Sequence, residues 1–401
     1  MRFCIVTLMN RRHFITTTAA TSLALATQGA DVPAKLRVGL IGHTGRGNYG
    51  HGVDTMWAAL PDTELVAIAD ADAKGLAAEL KKLKVSKGFA DYQAMLAEMK
   101  PDIVAIGPRH IDQHRDMFLA AIQAGARGIY SEKPFCRSLA EADEIIAAAE
   151  KTGTKIAIAH RNRYNPVLPV IQQLLKDGAV GQVLELRARG KEDRRGGSLD
   201  MWVLGAHLFN LCIYFAGKPV SCSATVLQDR RLVTKADVKE GDEGIGPLAG
   251  NEVHARYEME SGVPVFFDSV HDAGVKEASF GVQIIGNKGI IDLRMDGDPM
   301  AHFLPLNPFG PVKEPRAWTP VSTAGIGKAE PVEDLNKQVM AHTTSGLDLI
   351  AAIRTNRQPL CSAYAARSTI EMISAVFESH RLSGRRVTFP LQTRQNPLTL
   401  L

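Results

Sequence analysis

Apolar positions along the chain fall into two textures that meet near residue 160. Between Lys35 and Ala159, short and almost uncharged apolar runs alternate with stretches of helical period. The runs predict strands at Leu36–Ile41, Leu65–Ala69, Ile103–Ile106, Gly128–Tyr130 and Lys155–Ala159. Helices are expected between them, over Val53–Leu60 (ended by Pro61), Met117–Ala124 and Leu139–Lys151. Strand and helix in strict alternation mean an α/β fold with a parallel, doubly wound sheet. Beyond Pro166 the order changes. A helix over Val167–Lys176 stops at Gly178, and Val183–Arg189 reads as a strand with Glu185, Arg187 and Arg189 on one face. A helix over Met201–Ala216 precedes strands at Val220–Leu227, Glu252–Met259, Val263–Val270, Phe280–Ile285 and Ile290–Arg294, an order that suits an antiparallel sheet. Thr234–Gly250 and the proline-rich Ala301–Glu330 are expected as loops, Val339–Thr355 and Ala365–Leu382 as helices, and Ser383–Pro390 as a closing strand.

Bulk properties narrow the class. A chain of 401 residues is too long for one ordinary core, and 45% hydrophobic with 22% charged residues is a globular balance. The net charge of +4 comes from scattered Lys and Arg with no basic run interleaved with aromatics, so nucleic acid is not indicated. Five cysteines (Cys4, Cys136, Cys212, Cys222, Cys361) lack metal-ligand spacing, so neither a disulfide scaffold nor a metal site is expected. At the start, Asn10-Arg-Arg-His-Phe-Ile15 resembles the twin-arginine export motif, followed by a weakly apolar stretch, Thr16 to Ala26, too short for a stable anchor. The expected division is therefore a signal segment at 1–30, a first domain at 31–162 and a second at 163–401. The mature protein is expected to be periplasmic or otherwise exported, with no membrane attachment after cleavage.

The first strand runs straight into a glycine cluster, Gly42-His-Thr-Gly-Arg-Gly47, with Gly50 and Gly52 close behind. Strand, glycine turn and helix are the setting of a dinucleotide fingerprint, in which glycines let a pyrophosphate approach the backbone and a helix N-terminus offers free N–H groups. Two registers fit: one turns at Gly42, directly after the strand, and the other starts at Gly45. The first makes Gly42, His43, Thr44, Gly45, Arg46 and Gly47 the cradle. The second strand ends at Asp70, 23 residues past Gly47, near the ~20 residues expected for a carboxylate on the adenosine ribose. The bland alternative is a solvated strand-end acid beside an ordinary loop. An acid here repels a 2′-phosphate, which favours NAD over NADP, although Lys74 is close by. Two later segments, Gly107–His114 and Ser131–Phe135, also follow strands. Loops at the carboxyl ends of such strands line the ligand crevice, so Arg109, His110, His114, Glu132 and Lys133 share one edge.

These marks, together with Pro108, Glu132-Lys133-Pro134 and Arg163-Tyr-Asn-Pro166 in that order, resemble the Gfo/Idh/MocA oxidoreductase family over nearly all of the chain after the signal segment. The resemblance implies an N-terminal Rossmann domain. It also implies a C-terminal α/β domain on an open, mostly antiparallel sheet that covers the nicotinamide and often builds a dimer or tetramer. It adds Pro108, His114, Glu132, Lys133 and Arg163 to the cofactor set and gives Lys133 a contact with cofactor and substrate. The physical case for Lys133 stands separately, since an ammonium beside a carbinol oxygen orients it and stabilises developing alkoxide.

On the helix over 201–216, Leu204, Leu208, Leu211 and Phe215 form one stripe, while Asp200, Val203, His207, Asn210 and Tyr214 fall on another face. His207 matches the family's acid/base histidine. Val203, however, stands where many members carry an aspartate, so Asp200 is taken as a possible substitute acid. The expected function is an exported NAD(P)-dependent oxidoreductase of a sugar, cyclitol or polyol with tightly held cofactor. Arg187, Lys191, Asp193 and Arg194 are candidates for binding hydroxyls. An NAD-dependent glycosidase or lyase, and a noncatalytic sugar-binding protein, stand as alternatives.

Overall fold

The computed structural model describes residues 34–273, 279–311 and 314–401. The twin-arginine segment at 1–30 lies outside the described residues. Strands β1 (Leu36–Ile41), β2 (Thr63–Ala69), β3 (Gly88–Phe89), β4 (Ile103–Ile106), β5 (Gly128–Ser131) and β6 (Lys155–Ile158) form a sheet in the order β3-β2-β1-β4-β5-β6. Every pairing in it is parallel. β4, β5 and β6 are buried along their whole length, as strands covered on both faces must be. Helices α1 (Ala73–Leu83), α2 (Tyr92–Met99), α3 (His114–Gln123) and α4 (Leu139–Thr152) connect them. Asp72, Asp91 and Ser138 cap α1, α2 and α4 by accepting from backbone N–H groups of the first turn. The strand order reverses between β1 and β4, the switch point at which sheets of this kind receive their ligands.

The helix expected over Val53–Leu60 does not form. Only a 3₁₀ turn, Met56–Ala59, appears there. Gly45, Gly47, Gly50 and Gly52 all sit at positive φ, and Pro61 follows, which leaves too few residues to offset the cost of nucleation. Val53, Met56, Trp57 and Leu60 are nonetheless buried against one face of the sheet.

In the second part, α5 (Val167–Lys176) and β7 (Val183–Arg189) lead to α6, Ser198–Ala216, interrupted by a π-helical turn at Met201–Gly205. This helix has the length and apolarity of a membrane span, but most of it is buried in the protein core. A large sheet wraps around it, built from β8 (Pro219–Gln228), β9 (Glu252–Met259), β10 (Val265–Val270), β11 (Gly281–Gly286) and β12 (Ile290–Arg294). Added to these are β13 (Ala301–Leu304), β14 (Thr319–Ser322), β15 (Gly325–Ile326) and β16 (Val387–Thr388). Their order is β15-β14-β13-β12-β11-β7-β10-β9-β8-β16, antiparallel except for β7 with β10.

Three local expectations are corrected. Ala301–Glu330 is no simple excursion, since β13–β15 extend the sheet through it; strands this short, one with Pro320 inside, leave little periodicity to read. Within 234–250 a small hairpin pairs Lys239–Gly241 with Gly246–Leu248. The helix expected over 339–355 is two, α7 (Leu335–Met340) and α8 (Thr343–Thr355), broken where His342 takes φ +62°. α8 also crosses the expected division of the chain: Leu349 and Ile350 join Leu36, Val38, Trp57 and Tyr130 in the core of the first sheet. α9 (Ala363–Arg381) packs on β8 and α6.

Candidate active site

At the carboxyl ends of β5 and β6, beneath α6, lies a cavity of ≈170 Å³ lined by His51, Glu132, Lys133, Arg161, His207 and His342, among others. Larger hollows of ≈300 Å³ beside Tyr364 and ≈320 Å³ beside His271 hold no comparable constellation. β5 ends at Ser131, so Glu132 and Lys133 emerge at the sheet edge, and α6 brings His207 from the opposite side. Lys133 is 9% exposed and its Nζ donates to the Val203 carbonyl, inside the π-helical turn, at 3.0 Å. Burial pushes its pKa down, and Arg161 and Arg109 add to this against the pull of Glu132. His207 is held neutral by burial and by the nearby Lys133, its pKa well below the ordinary histidine value. Its Nδ1 has no partner, and neither ring nitrogen of buried His160, 5.6 Å away between ring centres, has one either. Burial and Lys133 push His160 down to about 3. Unpaired buried donors and acceptors cost free energy unless a ligand or water meets them, so this end is built for a polar guest. Phe280 tilts over His207, while Lys191, Arg195 and Asp296 supply further polar contacts at the same cavity.

Glu132 is the electrostatic anchor. Burial alone would raise its pKa, but His51 and the Lys133 charge hold it well below the usual carboxylate range. Its Oε1 accepts from the His51 backbone N–H (2.7 Å) and Nδ1 (3.0 Å), and Oε2 accepts from the Lys133 N–H (3.1 Å). The far side of the His51 ring meets Arg109 at 3.4 Å. His342, pushed down to about 4 by burial, lies between the Tyr130 hydroxyl (2.8 Å) and Arg161 (3.4 Å).

The glycine segment forms a small hairpin closed by a His43–Asn48 bridge. Four of its N–H groups are engaged internally: His43 and Asn48 exchange bonds, Gly45 N–H donates to Asn48 Oδ1, and Arg46 N–H to the His43 carbonyl. Thr44 donates through both N–H (3.0 Å) and Oγ1 (2.7 Å) to the Asp70 carboxylate, which also takes the Asp72 N–H at 2.9 Å. Asp70, expected on a ribose, is 2% exposed and acts as the loop's brace. His43 bonds Gln113 and Arg46 pairs with Asp112. The Tyr49 ring lies directly on Gly42, and Gly47 and Gly50 lie so close to Arg109 and to Gly107 with Glu132 that a Cβ would come within 2.4 and 2.7 Å. A pyrophosphate cradle needs free N–H groups and an opening at the switch point. In this conformation the Lys133–His207 end offers a polar cavity to a ligand, and the glycine end does not offer a phosphate cradle.

Three more expectations are corrected. Asp200 is fully buried away from His207, its Oδ2 accepting from Ser269 Oγ (2.7 Å) and the Glu192 N–H (3.1 Å), so it braces the 190–192 turn and supplies no acid to the site. His114 is fully buried, with Nε2 2.7 Å from the Pro108 carbonyl and Nδ1 3.2 Å from that of Phe135. It ties two loops together, and neither it nor Pro108 is presented to a ligand in this way. Arg163 stacks on Tyr214 at 3.6 Å; its neighbours Arg161 and Asn162 reach the cavity instead. Those two were legible as residues following β6, a strand end like the others. His51 and His342 carried no such mark. Among the described residues no group of three or more His, Cys, Asp or Glu is arranged to hold a metal.

Comparison with known proteins agrees with this architecture. D-apiose dehydrogenase of Paraburkholderia graminis is 32% identical over 125 residues, 31% of this chain and 33% of that protein. D-glucoside 3-dehydrogenase of Escherichia coli is 25% identical over 223 residues, 52% of this chain and 62% of the other. The matched regions thus span between a third and under two thirds of these two curated relatives. Levoglucosan dehydrogenase, solved with NADH and L-sorbose, superposes with a TM-score of 0.69 over 89% of this chain and 99% of its own at 16% identity, a likeness of fold. Residues 36–160 match the Gfo/Idh/MocA model, described as an oxidoreductase family with an NAD-binding Rossmann fold, and over that stretch the chain is similar to its members.

Proposed function

We propose that the protein is an NAD-dependent oxidoreductase acting on a secondary hydroxyl of a sugar, cyclitol or related polyol. The observation that carries this reading is buried Lys133, its Nζ fixed at 3.0 Å from the Val203 carbonyl beside His207 in one small polar cavity. The bound dinucleotide would supply the hydride acceptor. The chain's part is to hold the sugar and manage its proton. A lysine whose pKa is pushed down by burial lies closer to neutrality, where acid–base transfer is most effective. It orients the reacting hydroxyl and offers positive charge to the oxygen as its proton leaves. Neutral His207 accepts or donates a hydrogen bond to the same hydroxyl. Arg161, Lys191, Arg195 and Asp296 offer fixed donors and acceptors for the remaining hydroxyls. The named dehydrogenases of apiose, glucosides and levoglucosan support a carbohydrate substrate.

Export by the twin-arginine route, suggested by Arg11 and Arg12 with Phe14 and Ile15, completes the proposal, as does assembly into a homo-oligomer through the open face of the large sheet. An exported enzyme must retain its nucleotide, and this favours as second reading a net redox-neutral reaction such as glycoside cleavage or elimination. The test is absorbance at the reduced-nicotinamide band of protein supplied with NAD and levoglucosan, D-apiose or methyl glucosides. Reduced cofactor with one of these supports the oxidoreductase. Aryl-glycoside cleavage without accumulated reduced cofactor supports the second reading, and neither outcome leaves a noncatalytic sugar-binding protein.

A further inference from the structure

We infer that the glycine hairpin and the turns after it, residues 43–52, form a latch that occupies the dinucleotide's own place, with His51 on Glu132 as its catch. This rests on the dinucleotide reading above. The observations converge from both ends of the crevice. At the adenosine end, the Asp70 carboxylate that would receive the ribose is bonded instead to the Thr44 N–H and hydroxyl. At the switch point, Gly47 lies against the Arg109 backbone and Gly50 against the Gly107 carbonyl, so the β1 and β4 loops touch where they would part for a ligand. At the nicotinamide end, the His51 N–H and Nδ1 take the carboxylate oxygen of Glu132, at the margin of the catalytic cavity.

The latch is also built to move. No regular helix follows it to fix its exit, the next turn being only Met56–Ala59. Gly45, Gly47, Gly50 and Gly52 allow the backbone to change region without side-chain hindrance. Its outward polar anchors are Asp70, Gln113, Asp112, Glu132 and Arg109, and Tyr49 is its one residue in the hydrophobic core. Nucleotide affinity is then the intrinsic affinity multiplied by the fraction of molecules with the latch released. A substitution that harms only the closed form must tighten binding.

Two variants test this in the full chain. Gly50→Ala places a Cβ 2.7 Å from Glu132 and 2.9 Å from the Gly107 carbonyl at φ +75°, a clash confined to the closed loop; His51→Ala removes the ring from the catch and leaves the backbone free to fold. NADH affinity is read by fluorescence titration, and the protection of the 43–52 amides by hydrogen exchange with and without NADH. The expected result is NADH binding about tenfold tighter in at least one variant, with wild-type amides at 43–48 losing protection when NADH binds. Binding equal to or weaker than wild type in both variants overturns the latch, as does hairpin protection unchanged by bound NADH. Failure of every form, wild type included, to bind NADH overturns the dinucleotide reading and the latch with it.

Discussion

Replacing Glu132 by Gln isolates one buried charge. The carboxylate accepts three hydrogen bonds, from His51 N–H, His51 Nδ1 and Lys133 N–H. Bonds to a charged group contribute about 1.5–3 kcal/mol each, and a buried donor left unpaired costs about 1–3 kcal/mol. The amide keeps one acceptor oxygen, so two bonds can persist in weaker form while the Lys133 N–H faces an NH₂ group. Relief from burying a charge offsets part of the loss, which gives a net destabilisation of about 2–3 kcal/mol near neutral pH. The sign of the pH dependence follows from the direction of the shift. Folded Glu132 ionises well below its usual value of 4.5, so its stabilisation is full above that value and is lost as pH falls toward the folded pKa. The difference between wild type and variant should therefore be flat from pH 8 to 6. Below about pH 4.5 it should shrink by at most about 1.4 kcal/mol per unit. Urea unfolding of both proteins at several pH values measures it, and titrations common to both cancel in the difference. A gap under 0.5 kcal/mol near pH 7, or one that stays constant into acid, would refute the anchoring role.

Other outcomes follow from the same contacts. Lys133→Met should lower turnover about 10²–10⁴-fold while leaving the melting temperature at or above wild type, since an apolar chain replaces a buried amine; steady-state rates and calorimetry check both. Asp200→Ala should cost about 2–4 kcal/mol of stability, because Ser269 and the Glu192 N–H lose their acceptor, with kcat at temperatures where it stays folded within about threefold of wild type by the same assay. Arg163→Ala removes a cation–π contact and should cost about 1 kcal/mol by urea titration without changing NADH affinity.

Much of this is legible in the sequence. β4 and β5, and the buried ends of β1 and β2, announced themselves because strand segments buried on both faces are apolar, and Lys133 because it follows such a strand. What the sequence hid has identifiable causes. The glycines after β1 allowed both an open cradle and a closed hairpin, and only the bond from Thr44 to Asp70 distinguishes them. Asp200 and His207 fit one helical wheel, but the π-helical turn between them and the pull of Ser269 separate their roles. His114 looked like a ligand-facing residue because nothing in a linear pattern shows two carbonyls closing on its ring. His342 comes from the far end of the chain, beyond any local spacing rule.

α8 has a consequence for how the protein is made. Leu349 and Ile350 complete a core begun by Leu36 and Val38, and Ile353 presses on Gly128. Synthesis must run 185 residues past β6, from 158 to 343, before that helix starts to emerge, roughly 10–40 s at ordinary elongation speeds. During that interval Trp57 and Leu60 face water or a chaperone, and a protein truncated near residue 340 would keep them there permanently. The first sheet is therefore not an excisable unit: α8, which completes its core, is translated long after β6.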